Sequence, residues 1–297
     1  MDSYPAPALA MVKDMTIAAK KSPSKAIAFQ GAPGANSHVA ALEFDPDCLP
    51  LPCFSFEDAI DAVKDGTAAR AIIPIENSLH GRIADIHFLL PESGLSIVAE
   101  HFLLIHYWLM AKSADTVLKT AMSHPQALGQ CRHFLRSKGI IPIAYADTAA
   151  AAAFVAANDD PSAAAIAPPG AAELYGLVAV NAGVQDDDSN TTRFVVLSRE
   201  PANRSSLTGT LMTTLIFEVK NVPAALYKAM GGFATNGVNM TKLESYQNGA
   251  SFAATEFFAD IEGAPGDPAV DRALDELRFH CNSVRLLGTY VQTRNRG

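Results

Sequence analysis

Apolar and polar positions follow one rhythm up to about residue 198 and another after about residue 210. In the first part, short apolar runs alternate with stretches of helical spacing. Ala26-Ile27-Ala28-Phe29 reads as a strand, Gly31-Ala32-Pro33-Gly34 as a turn, and residues 37–44 as a helix. Ser55 can cap a helix running to Lys64, with Asp58 in the reciprocal capping position and Phe56, Ala59, Ile60 and Val63 on one face. Residues 71–75 are a strand that runs directly into Glu76-Asn77-Ser78, and Ile83, Ile86, Leu89 and Leu90 recur at helical spacing. Residues 95–111 are extended and are expected to carry the chain into a second lobe.

The second lobe repeats the scheme. Residues 120–123 end a strand, a helix starts at His124-Pro125-Gln126 and stops at Gly139, and residues 140–145 are a strand. Asp147 caps an alanine-rich helix, which suits close packing because alanine costs least in a helix. Strands follow at 164–167, 177–180 and 195–197, with a helical turn at 171–175. This alternation predicts an α/β fold with largely parallel sheets. After a polar linker at 199–210 the order becomes strand 213–219, helix 223–235 capped by Asn221, strands 238–246 and 251–261 joined at Asn248-Gly249, a helix from Pro268 capped by Asp267, and strand 284–291. That β-α-β-β-α-β order is the ferredoxin-like split arrangement, an α+β unit.

Composition narrows the function classes. The chain has 297 residues, enough for about two domains. A net charge of −8 without a Lys/Arg-rich run argues against nucleic acid and anionic membrane as partners. The apolar run at 102–111 is too short to span a bilayer. Cys48, Cys53, Cys131 and Cys281 fit neither a zinc site nor a disulfide framework, so buried thiols in a cytoplasmic protein are expected. Residues 1–24 are expected to be a flexible leader.

Polar clusters recur at strand ends and helix starts: Gly34 to Ser37, Glu76-Asn77-Ser78, Ser123 with Gln126 and Gln130, and Asn190-Thr191-Thr192-Arg193. One such cluster is usually a cap. Several in successive α/β units fit a cleft whose backbone amides can hold carboxylates. There is no G-x-S-x-G elbow, no P-loop ending, no complete dinucleotide fingerprint and no H-E-x-x-H, so no metal or other cofactor is expected.

Several of these stretches together resemble prephenate dehydratase. They are Phe29 to Ser37, Pro74-Ile75-Glu76-Asn77-Ser78-Leu79, Ser123-His124-Pro125-Gln126-Ala127-Leu128, Asp147-Thr148-Ala149, Ala172-Glu173-Leu174-Tyr175-Gly176 and Asn190-Thr191-Thr192-Arg193-Phe194. The tail, with Val222 to Tyr227 and Asn239 to Ser245, resembles a phenylalanine-sensing ACT domain. The resemblance implies a catalytic domain at 25–200 with two lobes like those of periplasmic binding proteins, a linker at 201–211, and an ACT domain at 212–293. It implies decarboxylating dehydration of prephenate to phenylpyruvate in phenylalanine biosynthesis, feedback inhibition by L-phenylalanine, and a homodimer or homotetramer. Arogenate dehydratase and a non-catalytic phenylalanine-responsive binding protein are the alternatives. The segment before the first strand is too short for a fused chorismate mutase, so a monofunctional enzyme is expected, and the lack of a plastid-type leader favours prephenate.

Under this resemblance Thr192 is the donor to the leaving hydroxyl, Arg193 either binds a carboxylate or forms an ion pair with Glu76 or an aspartate of 186–188, and Phe194 packs under the site. Glu76 orients Thr192 or Arg193. Ser37, Asn77, Ser78, Ser123, Gln126, Gln130 and Thr148 are the candidate substrate contacts, several of them equally suited to capping. Asn221, Ala224, Ala225 and Leu226 at a helix start, with Asn239, Met240, Glu244 and Ser245 on the next strand, are the candidate effector contacts. The chain departs from the family pattern at Ala224, which replaces the usual glycine, at Tyr246-Gln247, which replace Arg-Pro, and at His80 and Arg82.

Overall fold

A computed structural model describes residues 4–247 and 254–296. The expected hairpin turn at Asn248-Gly249 and strand start at Ser251 lie outside the described residues. In chain order the elements are α1 (Ala6–Lys21), β1 (Ala26–Gln30), α2 (Asn36–Phe44), β2 (Leu49–Cys53), α3 (Phe56–Lys64), β3 (Arg70–Asn77), β4 (Gly81–Arg82), α4 (Ala84–Ser93), β5 (Ser96–Leu104), β6 (Trp108–Ala111) and β7 (Thr120–Ser123). There follow α5 (Pro125–Gln130), α6 (Arg132–Lys138), β8 (Ile141–Ala144), α7 (Thr148–Ala157), β9 (Ala163–Ala167), α8 (Gly170–Tyr175), β10 (Val178–Asn181) and β11 (Thr191–Ser198). The last are β12 (Leu211–Val219), α9 (Ala225–Thr235), β13 (Met240–Gln247), β14 (Ala254–Glu262), α10 (Pro268–His280) and β15 (Cys281–Val291).

The strands form three sheets, ordered β2-β1-β3-β11-β5 with β4 on β3, β10-β6-β9-β7-β8, and β13-β14-β12-β15. By contact the chain divides into two compact units, residues 1–87 with 101–194, and residues 88–100 with 195–297. The expected parallel pairing holds for β1 with β2 and β3, and for β7 with β8 and β9. It fails for β6, which runs antiparallel to both β9 and β10. β6 is the strand by which the chain enters the five-stranded sheet from the other one, so no β-α-β unit within that sheet precedes it and sets its sense.

Local chemistry explains most elements. The Ser55 hydroxyl accepts from the Asp58 N–H and the Asp58 carboxylate from the Ser55 N–H, both at 3.0 Å, which is the expected capping box of α3. Asp147 caps α7 by accepting from Ala150 N–H at 2.7 Å. The alanines of α7 are close-packed, with Ala149, Ala151, Ala152 and Ala153 fully enclosed. In the second unit Leu215, Phe217, Phe233, Phe257, Ile261, Leu274 and Leu277 pack the two helices on one face of the four-stranded sheet. Its β-α-β-β-α-β order and strand order are those of the split arrangement.

Several expectations are corrected. Of the expected leader at 1–24, the described residues from Tyr4 on are not loose, because α1 packs against β2 and α7 with Ala8 and Ala19 fully buried. Its contact side is mostly small, so it leaves no amphipathic stripe to read. The β2 stretch Leu-Pro-Leu-Pro-Cys carries two prolines that hide its strand character in the sequence; it sits at the sheet edge, where missing N–H groups are tolerated. The helix after His124 breaks at Cys131 into α5 and α6. Helix α9 begins after Ala224, not at an Asn221 cap, and the Asp267 carboxylate accepts from the preceding Ala264 N–H instead of capping α10. Cys281 is buried as expected and opens β15. All four cysteines are free and buried.

Candidate active site

The first unit contains a cavity of about 540 Å³ lined from both of its lobes. From the six-stranded side come Asn36 and Ser37 of α2, Asn77 at the end of β3, His80 and Arg82 beyond it, and Asn190, Thr192 and Phe194 around the start of β11. From the five-stranded side come His124, Gln126 and Gln130 around α5, and Asp147 and Thr148 at the start of α7. Loops at strand ends and helix starts therefore meet there, as the recurrence of polar clusters suggested.

Thr192 is held by Asn77, whose Nδ2 donates to its Oγ1 at 3.0 Å and to Asn190 Oδ1 at 2.7 Å. Asn190 Nδ2 in turn donates to Gln130 Oε1 at 2.8 Å. Having accepted from Asn77, the Thr192 hydroxyl has its own hydrogen available to donate. Thr192 and Asn190 are almost wholly buried, so these bonds lie where water competes poorly. Phe194 is 1% exposed and forms part of the wall.

The structure brings Ser37, Asn77, Gln126, Gln130, Thr148, Thr192 and Phe194 to the cavity. Four expected residues are placed elsewhere. Ser123 donates to the Ile166 carbonyl at 2.6 Å inside the five-stranded sheet, and Ser78 accepts from Thr191 N–H at 3.0 Å. Arg193 is 2% exposed and pairs with Glu76 at 2.8 Å, off the cavity lining. Along β11 successive side chains point to opposite faces, so Thr192 and Phe194 face the cavity and Arg193 cannot. The candidate effector residues all belong to the second unit. Asn221, Ala224 and Asn239 are exposed there, Ala225 is buried, and Lys242 pairs with Glu244 at 3.1 Å.

Sequence reading missed Tyr107 and Asp147 as lining residues. Tyr107 lies in the stretch between β5 and β6, which has no periodic pattern; its hydroxyl accepts from Asn36 Nδ2 at 3.4 Å. Asp147 was legible only as a cap. Burial pushes its carboxyl up from 3.8 to about 6, and the N–H groups of Ala150, Ala149 and Ala32 hold it back from rising further. Burial lowers the His124 imidazole, whose Nδ1 accepts from Gln126 N–H at 3.3 Å. Among the described residues no cluster of His, Cys, Asp and Glu could hold a metal, and no helix is long and apolar enough to cross a membrane.

Comparison with known proteins places the chain in one family. A family model described as prephenate dehydratase matches residues 27–202. A bifunctional N-acyl-homoserine lactone acylase/prephenate dehydratase of Komagataeibacter europaeus is 46% identical over 266 residues, covering 89% of this chain and 95% of that protein. An Arabidopsis thaliana protein named arogenate dehydratase/prephenate dehydratase 2, chloroplastic, is 35% identical over 278 residues, covering 89% of this chain and 72% of that one. Among solved structures, a prephenate dehydratase in complex with L-Phe from Arthrobacter aurescens superposes with a TM-score of 0.79 at 28% identity, covering 90% of each chain.

Proposed function

The chain belongs to the prephenate dehydratase family of carbon–oxygen lyases, and from that premise we propose that it converts prephenate to phenylpyruvate in phenylalanine biosynthesis. Prephenate carries a ring carboxylate and a ring hydroxyl on opposite carbons. The bond to the carboxylate breaks, its electron pair moves into the ring, and the hydroxyl leaves. One proton taken up at that oxygen yields water beside CO2 and phenylpyruvate, and the aromatic ring supplies the driving force. What the protein must add is assistance at the leaving oxygen and a fixed ring.

The observation that carries this reading is the polarity at Thr192. Its Oγ1 accepts from Asn77 and lines the cavity, so its hydrogen is left for the leaving oxygen. A threonine hydroxyl is a weak acid, so it hydrogen-bonds to the developing charge while solvent supplies the proton. Phe194 packs beside the ring. Arg193, paired with Glu76, positions the start of β11. Ser37, Gln126, Gln130 and Thr148 make the polar contacts to substrate.

Prephenate is preferred over arogenate because of the charge in the cavity. Asp147 is the one carboxylate among its described lining residues, and backbone N–H groups already occupy it. An ammonium group in place of the keto group would meet His80, Arg82 and His124 without a free anion.

The second unit is proposed to be an ACT domain that binds L-phenylalanine at the start of α9 and along β13, inhibits the enzyme and joins chains into a homodimer or homotetramer in the cytoplasm. Support comes from its β-α-β-β-α-β order and from the L-Phe complex named for the Arthrobacter relative.

The deciding experiment is turnover of prephenate and arogenate by the purified full chain, with an N-acyl-homoserine lactone assay beside it because of the Komagataeibacter relative's name. Formation of phenylpyruvate is expected. Thr192→Ala should cut kcat by about 10²–10³ with a smaller change in KM, and Thr192→Ser should keep part of the rate. No product from prephenate would defeat the reading, and near-normal turnover by a folded Thr192→Ala protein would remove Thr192 from it.

A further inference from the structure

The dehydratase reading uses His80 only as a cavity-lining residue, yet the structure places it at the end of a chain of side chains that runs back to Thr192. The donor and acceptor sense of that chain is set by two backbone groups. Asn77 Oδ1 accepts from the N–H of Leu79 at 3.0 Å and of His80 at 3.1 Å. A backbone N–H can only donate, so this end of the Asn77 amide is its oxygen and the other end is its NH2. That NH2 serves Thr192 Oγ1 and Asn190 Oδ1. Asn190 must then turn its own NH2 toward Gln130 Oε1, which leaves the Gln130 NH2 facing His80 Nδ1 at 3.1 Å. His80 Nδ1 also lies 3.1 Å from Asn77 Oδ1, a contact that is a hydrogen bond only if the His80 proton sits on Nδ1.

We propose that His80 is a positioning residue for Thr192, held with Nδ1 as the acceptor from Gln130 and its ring proton on Nε2. With the proton on Nδ1 instead, the ring would face the Gln130 NH2, and its one acceptor would be an Asn77 oxygen that already serves two amides. Turning Gln130 over would force Asn190 to turn as well. The Asn190 NH2 would then meet the Asn77 NH2, which cannot turn because the backbone pins it. The conflict would fall on the residue that orients Thr192. Gln130 ends α5 on the five-stranded side and His80 lies beyond β3 on the six-stranded side, so the same contact ties the two lobes across the cavity. This inference rests on the dehydratase reading for its kinetic consequence but not for the tautomer.

Two measurements on the full chain test it. Long-range proton–nitrogen spectra of the histidine rings at neutral pH should show His80 protonated on Nε2 in the wild type, and a mixture of tautomers in Gln130→Leu. In turnover, His80→Ala should lower kcat about tenfold with KM changed less than about twofold, since orientation of a transition-state donor is lost. His80→Gln, whose side-chain oxygen can accept from Gln130, should recover most of kcat. A wild-type His80 carrying its proton on Nδ1 overturns the proposal. So does unchanged kcat in a folded His80→Ala protein, or a His80→Gln variant no better than His80→Ala. If the wild type turns over neither prephenate nor arogenate, the dehydratase reading falls, and the ring spectra still decide how His80 is held.

Discussion

Ala224 has φ +59° and ψ +25°, the one described non-glycine residue with positive φ. The left-handed region costs a residue with a Cβ about 1 kcal/mol. The position is where the family pattern has glycine, and it opens the helix proposed to hold the effector, so strain is stored at that loop. Ala224→Gly should raise the unfolding free energy of the full chain by up to about 1 kcal/mol in urea and shift the L-phenylalanine concentration needed for inhibition. Unchanged stability would mean that the strain is relieved elsewhere. Two titrating residues, buried His38 and half-buried Asp147, make an opposed pair. Burial lowers His38, stacked on Phe29 and accepting from Gly34 N–H, from 6.5 to about 4. The folded state then binds fewer protons than the unfolded chain, so this contribution is present above about pH 6.5 and lost as pH falls toward 4. Asp147 is raised from 3.8 to about 6, so its contribution is present below about pH 3.8 and lost as pH rises through 6. Each amounts to ~3 kcal/mol at most, with opposite slopes between pH 4 and 6. Asp147→Asn, which keeps the cap, should therefore make stability fall steadily with acid over that window. An Asp147→Asn curve parallel to the wild type would rule out this origin.

At the scale of elements, α1 lies outside the residues matched by the family model, yet it is built into the first unit. Just ahead of it, the Tyr4 hydroxyl sits between the carbonyls of Cys53 and Gly31, at 2.8 and 3.2 Å. Ala8 is fully buried in one core cluster with the alanines of α7. Tyr4→Phe should cost about 1 kcal/mol by removing the hydroxyl's hydrogen bond to these carbonyls, of which that of Cys53 keeps the Gly31 N–H, and Ala8→Leu about 1–3 kcal/mol by overpacking. Thermal unfolding checks both, and no loss of Tm for either would mean that α1 does not stay docked. The opposite case is the Ser55–Asp58 capping box, where the local sequence suffices.

At the scale of the whole molecule, the segment Phe88–Glu100 folds with residues 195–297 although it lies far away in sequence. Glu100 is 1% exposed, accepts from Thr293 N–H at 3.0 Å and is ion-paired with Arg296 near the end of the chain. Arg296 also pairs at 3.3 Å with Asp260, whose other oxygen accepts from Thr214 at 2.6 Å. Two buried carboxylates thus share a guanidinium. Arg296→Ala should destabilise the chain by about 3 kcal/mol, read by urea unfolding, because buried charges lose a counter-charge. A loss below about 0.5 kcal/mol would place the pair among weak surface bridges. Cutting the chain near residue 205 removes these partners of residues 88–100, so a fragment ending there should aggregate or unfold early. Loss of inhibition is therefore better tested with Ala224→Gly in the intact chain than by truncation.

Much of this protein follows from sequence alone. The strand–helix rhythm, the α3 and α7 caps, the second β-α-β-β-α-β unit and the motif ending in Thr192-Arg193-Phe194 rest on local periodicity, capping and spacing, which need no distant partner. Tertiary structure alone decided which members of those motifs meet. Alternation along β11 sends Thr192 and Phe194 to the cavity and Arg193 to Glu76. Ser123 and Ser78, chemically suited to a substrate, are used by the sheets. The docking of α1 and the companionship of Glu100 with Arg296 depend on surfaces made by residues far along the chain. So does the chain of side chains from Asn77 through Asn190 and Gln130 to His80, whose members have no sequence spacing in common. Its polarity is set by backbone amides, whose direction exists only once the turn after β3 has formed.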